Sequence, residues 1–342
     1  MSTDMDKAIR REELAQLLPA ELYKLYLEKQ VNFGRAALAL DQRRGQNRLY
    51  VSAEEAGLEK AGHTQNMIIA PELGFNVHNL HVFTTGRAGA GDRWSERYHS
   101  HGDALKYYIR GGGYEVIGDE RIEVSEGDFC HVPANIWHGT ENPNPNSMVF
   151  LAAQQYPGTY RQVPAPYVYL EYPEDVPEVK DLSSEELRKL PPRQLYLRYR
   201  EEAMDFGRVA LEMDRRRQQK RMHVSAEEAP VMELGPGRHN IISPELGFDI
   251  YSFHLYMEHV PGHTDHGQAY TSGDAVRHYL YGEGIELIGD QRIIVKAGDF
   301  ACIPAGSRHE TLNPHSEPLR FICWEQIPGT YLQLDAPRLP VP

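Results

Sequence analysis

GDFCHVPANIWHGTEN, residues 127–142, returns as GDFACIPAGSRHETLN at residues 298–313. Both stretches hold a Gly-Asp-Phe turn, a short apolar run, a proline, a histidine and a closing asparagine at matched spacing. Working outward, GDERIEVSEGDF at 118–129 returns as GDQRIIVKAGDF at 289–300, and YPGTY at 156–160 as IPGTY at 327–331. Toward the N-terminus, PELGF at 71–75 recurs at 244–248, and FGRAALALDQRRGQNRLYVSAEEA at 33–56 recurs as FGRVALEMDRRRQQKRMHVSAEEA at 206–229. The offset is 173 residues early and 171 later, so one loop is two residues shorter in the second copy. A period of half the chain marks a duplication.

Each copy opens on helical periodicity. EELAQLL and ELYKLYLEKQVNFGRAALALDQRR space apolar residues three and four apart, with a break at Pro19. In the second copy Ser183 and Glu186 form a capping box ahead of LRKL, which ends at Pro191. From about residue 66, and again from about 239, the texture changes to short β-branched and aromatic runs punctuated by Gly, Asp, Asn and Pro. HNLHVFTT, LKYYIRGGGYEVIG and MVFLAAQQ are examples, and they predict antiparallel sandwiches or barrels. The acidic, proline-containing EYPEDVPEVKDLSSEE is the expected linker. The reading is a mostly β chain of two repeats, 1–172 with its barrel at about 66–165 and 173–342 with its barrel at about 239–338.

The 342 residues suit two domains, and 41% hydrophobic with 25% charged residues is a soluble globular composition. Net charge is −13, from 36 basic and 49 acidic residues, which disfavours nucleic acid and anionic membranes as partners. Cys130, Cys302 and Cys323 are too few and scattered for a disulfide framework, and fit a reducing compartment. The charged start MSTDMDKAIRREEL lacks the apolar core of a signal peptide, so a cytoplasmic location is expected. No long apolar window predicts a membrane span.

The chemistry concentrates in the first copy. Tyr98-His99-Ser100-His101 puts two histidines one residue apart, which strand alternation turns to one face. His138 follows 37 residues after His101, far enough for a strand, a glycine turn at Gly111–Gly113 and a hairpin to bring a third imidazole back. Three neutral imidazoles suit Fe, Mn, Ni, Cu or Zn and leave positions open for substrate or oxygen. In the second copy Tyr270 and Ser272 replace His99 and His101, and His309 alone remains. His263, His266 and His278 lie nearby and read as loop and surface histidines, making the second copy a structural or dimerising partner. His81 and His254 occupy matched places, as a shared packing or hydrogen-bonding role would require, whereas His78 occurs only in the first copy.

The stretches 127–142 and 298–313 resemble the second signature of the cupins, G-x5-P-x-G-x2-H-x3-N, with Asn135 in place of one glycine in the first. The resemblance implies two tandem cupin barrels (double-stranded β-helix, jelly-roll), each preceded by a short helical segment. The first signature is matched by its two histidines, with Ala104 where a glutamate is usual. Oxalate-decarboxylase-like bicupins carry that glutamate in both halves. His99-Ser-His101-Gly-Asp-Ala104-Leu105-Lys106-Tyr107 is instead similar to the bicupin ring-cleaving dioxygenases for gentisate, salicylate and 1-hydroxy-2-naphthoate.

That resemblance implies Fe(II), with Mn, Ni or Zn as alternatives, held by His99, His101 and His138, and a hydroxylated aromatic substrate with O2. It places Lys106 where the family has a substrate-binding arginine, and Trp137 at its aromatic position before the third ligand. His81 and His78 complete the candidate pocket. Lysine cannot make arginine's planar two-point contact, and Thr140 stands where the family often has a further histidine. A gentisate-like or a hydroquinone-like ring fits the pattern. Two-subunit hydroquinone dioxygenases have a large subunit of this size, so a homo-oligomer or a second small subunit is implied. An isomerase or lyase on the same fold, or a non-enzymatic binding protein, is the alternative.

Overall fold

The computed structural model describes helical pieces at 11–18 and 184–191 and most of residues 48–154 and 221–326. Residues 1–10, 33–47, 59–64, 94–97, 100–102, 134–135, 155–183, 199–220, 271–273, 305–306 and 327–342, with some single positions, lie outside the described residues. The linker, the Ser183 cap and most of the helical stretch at 21–44 therefore fall outside them.

The first repeat supplies α1 (Arg11–Gln16), β1 (Tyr50–Val51), α2 (Ala53–Ala56), β2 (Asn66–Ile69), β3 (His81–Arg87), β4 (Asp92–Arg93), β5 (Tyr98–His99), β6 (Ala104–Arg110), β7 (Gly113–Ile117), β8 (Glu120–Val124), β9 (Phe129–Val132), β10 (Trp137–Asn142) and β11 (Met148–Gln154). The second supplies α3 (Ser184–Lys189), β12 (His223–Val224), β13 (Gly237–Ile242), β14 (Phe253–Val260), β15 (Thr264–Asp265), β16 (Ala269–Tyr270), β17 (Ala275–Tyr281), β18 (Glu283–Ile288), β19 (Gln291–Lys296), β20 (Phe300–Ile303), β21 (Arg308–Asn313) and β22 (Leu319–Gln326). The chain is mostly β, and its strands form two barrels, as the sequence predicts.

Each barrel is a six-stranded sheet facing a smaller one. The first is β12-β9-β6-β11-β3-β2 over β4-β10-β7-β8, with β5 also on β10. The second is β1-β20-β17-β22-β14-β13 over β15-β21-β18-β19, with β16 also on β21. Sheet membership crosses the repeats. Tyr50 and Val51 pair with Ala301 and Phe300, while His223 and Val224 pair with Cys130 and Phe129. Each repeat thus gives its leading strand to the other's barrel.

The Gly-Asp-Phe turns hold that exchange. Asp128 accepts from Ala226 N at 2.8 Å and Ser125 N at 2.9 Å, and lies 3.0 Å from His223 Nε2. Asp299 accepts from Ala53 N at 2.8 Å, Lys296 N at 3.0 Å and Tyr50 Oη at 2.9 Å. Burial would raise the Asp128 pKa, but bonds from His223, Ala226 and Ser125 together hold it below the usual carboxylate range. Burial, then Asp299, pushes Tyr50 up to about 12.

The approach leaves no room for side chains. A Cβ on Gly127, at φ +89°, would lie 2.8 Å from Ala226 Cβ, and one on Gly298, at φ +90°, 2.7 Å from Ala53 Cβ. Behind the turns, the outer faces of the two large sheets share one apolar cluster. Val51, Leu105, Phe129 and Leu151 pack in it with Val224, Phe248, Val276, Phe300 and Trp324. Phe129 and Phe300 are fully buried there, each contributing about 1.5–3 kcal/mol of transfer free energy. Large-sheet strands covered on both faces read as continuous apolar runs, as in MVFLAAQ of β11.

Gly127→Ala should therefore cost about 2–4 kcal/mol, from left-handed backbone strain plus the close contact. In calorimetry the variant should melt in one transition at lower temperature, because the barrels share a core. Two transitions, only one of them shifted, would contradict the shared core.

Candidate metal and substrate site in the first barrel

Alternation along β10 sends His138 and Thr140 into the first barrel and Trp137 outward, where it is 37% exposed. His138 pairs with Ile117 of β7 on one side and with Tyr98 of β5 on the other, and Trp137 pairs with His99. The backbone of His99 thus runs along the strand bordering His138, one register position from it. The His99 side chain, and residues His78 and His101, lie outside the described residues. Among the described residues no three His, Cys, Asp or Glu side chains come together.

The surroundings of His138 fit a metal ligand. Its Nδ1 lies 3.4 Å from the Ile136 carbonyl, a long contact that favours a proton on Nδ1 and the lone pair on Nε2. Ala104, Ile117 and Val132 form a buried apolar cluster at this end of the barrel. Ala104, where a carboxylate is usual in this fold, offers no charge. A divalent ion held by neutral imidazoles here would keep its full charge.

A buried carboxylate of this barrel, that of Glu115, is turned to Lys106. Lys106 Nζ lies 2.9 Å from both Glu115 oxygens and 3.3 Å from Thr140 Oγ1, which itself donates to Glu115 Oε1 at 2.6 Å. The ammonium sits 4.5 Å from the Phe150 ring centroid. The network bridges the barrel, because Lys106 is on β6 of the large sheet and Glu115 and Thr140 are on the small one. Thr140 follows His138 by two residues, so the network lies one pleat repeat, about 7 Å, deeper.

The second barrel builds the same network from Arg277, Glu286 and Thr311, each 171 residues later. Arg277 Nη1 lies 2.7 and 2.8 Å from the Glu286 oxygens and 2.6 Å from Thr311 Oγ1. The sequence reading singled out Lys106 and missed Glu115. Its signal was present: a basic residue, a glutamate and a threonine persist together across the repeat in strands otherwise free to vary.

His81 is buried at the start of β3, opposite Gln154 of β11, which in turn pairs with Ala104. That register sets His81 at the same barrel end as His138. His254 has the matching place in the second barrel, opposite Glu325. Asn142, which closes the signature, braces the following turn instead of facing the site. Its Nδ2 donates to the Arg87 and Asn146 carbonyls at 3.2 and 2.7 Å, and Asn313 does the same to Val260 and Glu317 at 3.1 and 2.8 Å.

The remaining histidines of the second repeat are not gathered. His309 is buried, and desolvation, aided by Arg277, pulls its pKa down to about 3. His278, on the other face of its sheet, stacks on Phe300 at 4.4 Å, with Nδ1 3.2 Å from the Asp299 carbonyl; burial lowers it to about 4. It is thus a core residue, where the sequence suggested loop or surface. His266 pairs with Glu258 at 2.5 Å, which raises its pKa, and His263 is exposed in a turn at φ 57°.

Comparison with known proteins agrees with this architecture. The sequence model of the cupin domain family matches residues 85–153 and 255–325, the body of each barrel. The chain is a bicupin of the cupin superfamily. Similar solved structures include the Lactobacillus farciminis oxalate decarboxylase formate complex, at 13% identity, TM-score 0.53, and 82% and 87% of the two chains covered. Bacillus subtilis oxalate decarboxylase, described with Mn(II) centres, follows at 14% identity, TM-score 0.51, and 82% and 78% coverage. A variant of salicylate 1,2-dioxygenase from Pseudoaminobacter salicylatoxidans shows 12% identity, TM-score 0.47, and 77% coverage of both chains. No curated protein sequence matches. No described helix is long and apolar enough to cross a membrane.

Two predictions follow from the buried charges. Lys106→Met leaves Glu115 unpaired and should cost about 3–5 kcal/mol in urea denaturation, whereas adding Glu115→Met should restore most of it. Full recovery is not required, but a single variant as stable as wild type would contradict the pair. His278 and His309 have folded pKa values below their unfolded 6.5, so their neutral-form stability is complete above pH 6.5 and falls as pH drops toward 4. Stability should fall by up to about 1.4 kcal/mol per pH unit per histidine in that window, and His278→Gln should flatten the slope.

Proposed function

We propose that this bicupin is a non-haem Fe(II)-dependent dioxygenase that opens the ring of a hydroxylated aromatic, gentisate- or hydroquinone-like. His99, His101 and His138 of the first barrel would hold the metal. The observation that carries the reading is the asymmetry between the barrels. His138 faces an apolar end of the first barrel lined by Ala104, Ile117 and Val132, while the sequence of the second repeat has Tyr270 and Ser272 at the positions that align with His99 and His101.

When bound, a ferrous ion supplies Lewis acidity and one-electron redox chemistry at this place. The chain's own residues do the rest. Ala104, Ile117 and Val132, buried together, would present an apolar surface to a flat ring and keep water from it. The absence of a carboxylate at Ala104 favours an anionic oxygen, such as a phenolate, as the partner of a doubly charged centre. His81, buried at the same end, would hold or pass the phenolic proton. Trp137 faces outward from β10 and would act from outside the barrel, on the approach.

Oxygen uptake by anaerobically iron-loaded protein tests this, with gentisate, hydroquinone, salicylate and 1-hydroxy-2-naphthoate offered in turn. One ring should be consumed with about one equivalent of O2, and His138→Ala should lower the rate by at least about a thousandfold. No uptake with any ring, or uptake untouched by the substitution, would overturn the reading.

A further inference from the structure

Asp103 and His131 form a second buried polar pair in the first repeat, outside the Lys106 network. His131 Nε2 lies 3.0 Å from Asp103 Oδ1, and both side chains are fully buried. A carboxylate only accepts, so the proton of this contact is on Nε2. His131 Nδ1 is also buried and has no partner among the described residues. The imidazole stands edge-on to the ring of Phe248 from the second repeat, 6.1 Å between centroids. In β9 His131 lies opposite Leu105, on the face that packs between the barrels.

The second repeat shows what the pair is not needed for. Cys302 holds the place of His131, and its backbone N–H donates to the Leu49 carbonyl at 2.8 Å, as that of His131 donates to Met222 at 2.9 Å. Both borrowed segments are thus seated by the same backbone bond. Cys302 is fully buried in the shared apolar cluster, and Asp274, also fully buried, holds the place of Asp103. An imidazole is not required to seal this seam. One with an unpartnered buried nitrogen is an unfavourable choice for sealing alone. The repeat that has it is the repeat that has His99 and His101.

Chain geometry connects these facts. His99 is held in β5 on the small sheet, opposite Trp137. Asp103 comes four residues later and leads directly into β6 of the large sheet. His101 falls midway, two residues from each anchor, and two residues of chain reach at most about 7 Å. The first anchor is a strand ladder. The second is a buried side-chain contact, supplied by His131 from the neighbouring strand.

We infer that Asp103 and His131 are a positioning pair for the metal centre. Their contact fixes where the chain leaves the His99–His101 stretch, and so sets how far His101 stands from His99 and His138. The inference rests on the metal site proposed above. It makes the second repeat a support of that site, because the Met222 carbonyl and Phe248 hold His131 in place.

Cobalt(II) added to metal-free protein, followed by its visible absorption, reads the site without turnover. Wild type should bind about one equivalent, and His131→Cys, the residue of the second repeat, should bind at least about tenfold more weakly with an altered spectrum. His131→Gln returns an N–H donor toward Asp103 and should recover most of the affinity. If His131→Cys does not fold, Asp103→Asn, which removes the charge from the contact, should weaken cobalt binding in the same direction. Gly298→Ala strains the other seam, where its Cβ would lie 2.7 Å from that of Ala53, so it should lower the melting temperature and leave cobalt affinity unchanged. Wild-type affinity in folded His131→Cys or Asp103→Asn, or an equal loss in Gly298→Ala, overturns the inference and leaves the metal site standing. Cobalt not bound by wild type, or still bound by His99→Ala, overturns the metal site and this inference with it.

Discussion

The carboxylates of Asp128 and Asp299 hold this molecule together. Each receives a backbone N–H of the segment that the other repeat sends across, Ala226 on one side and Ala53 on the other. Those bonds seat β12 on the edge of β9 and β1 on the edge of β20, so both large sheets are finished by borrowed strands. An unpaired edge and an uncovered apolar face are both unfavourable in water, and the exchange removes them together. Gly127 and Gly298 are required for the same reason, because only glycine lets the crossing segments approach so closely.

That constraint explains why the second barrel persists without the histidines of the first. Phe248, Val276 and Trp324 form part of the cluster behind β6 and β9, the strands that carry Ala104, Lys106 and Val132 at the candidate site. The second repeat is a wall of the first. Its sequence can differ, with Tyr270 and Ser272 where the first repeat has His99 and His101 and with a His266–Glu258 pair, provided that its turn and outer face are kept. The ion pair inside each barrel is held for a related reason, since losing either partner strands a buried charge.

Much of this was legible in the sequence. The two copies, their β texture and the places of His138 and His309 follow from residue types and spacing. The exchange of leading strands was not, because YVSAEEA and HVSAEEA carry the same pattern whichever barrel receives them. Lys106 was legible as a candidate but its state was not. Alternation can show that Lys106 faces inward, yet only the facing sheet shows that Glu115 meets it. His278 looked like a surface residue because a lone histidine in a strand carries no sign of the Phe300 ring stacked on it. The last asparagine of each signature stretch, Asn142 and Asn313, braces the turn that follows it.

The central claim is that one metal site operates, in the first barrel, with the second serving as its scaffold. Elemental analysis of protein purified without added metal, for wild type, His99→Ala and His309→Ala, tests it most directly. The account predicts about one iron per chain in wild type and in His309→Ala, and almost none in His99→Ala. Metal retained in His99→Ala, or lost in His309→Ala, would contradict it.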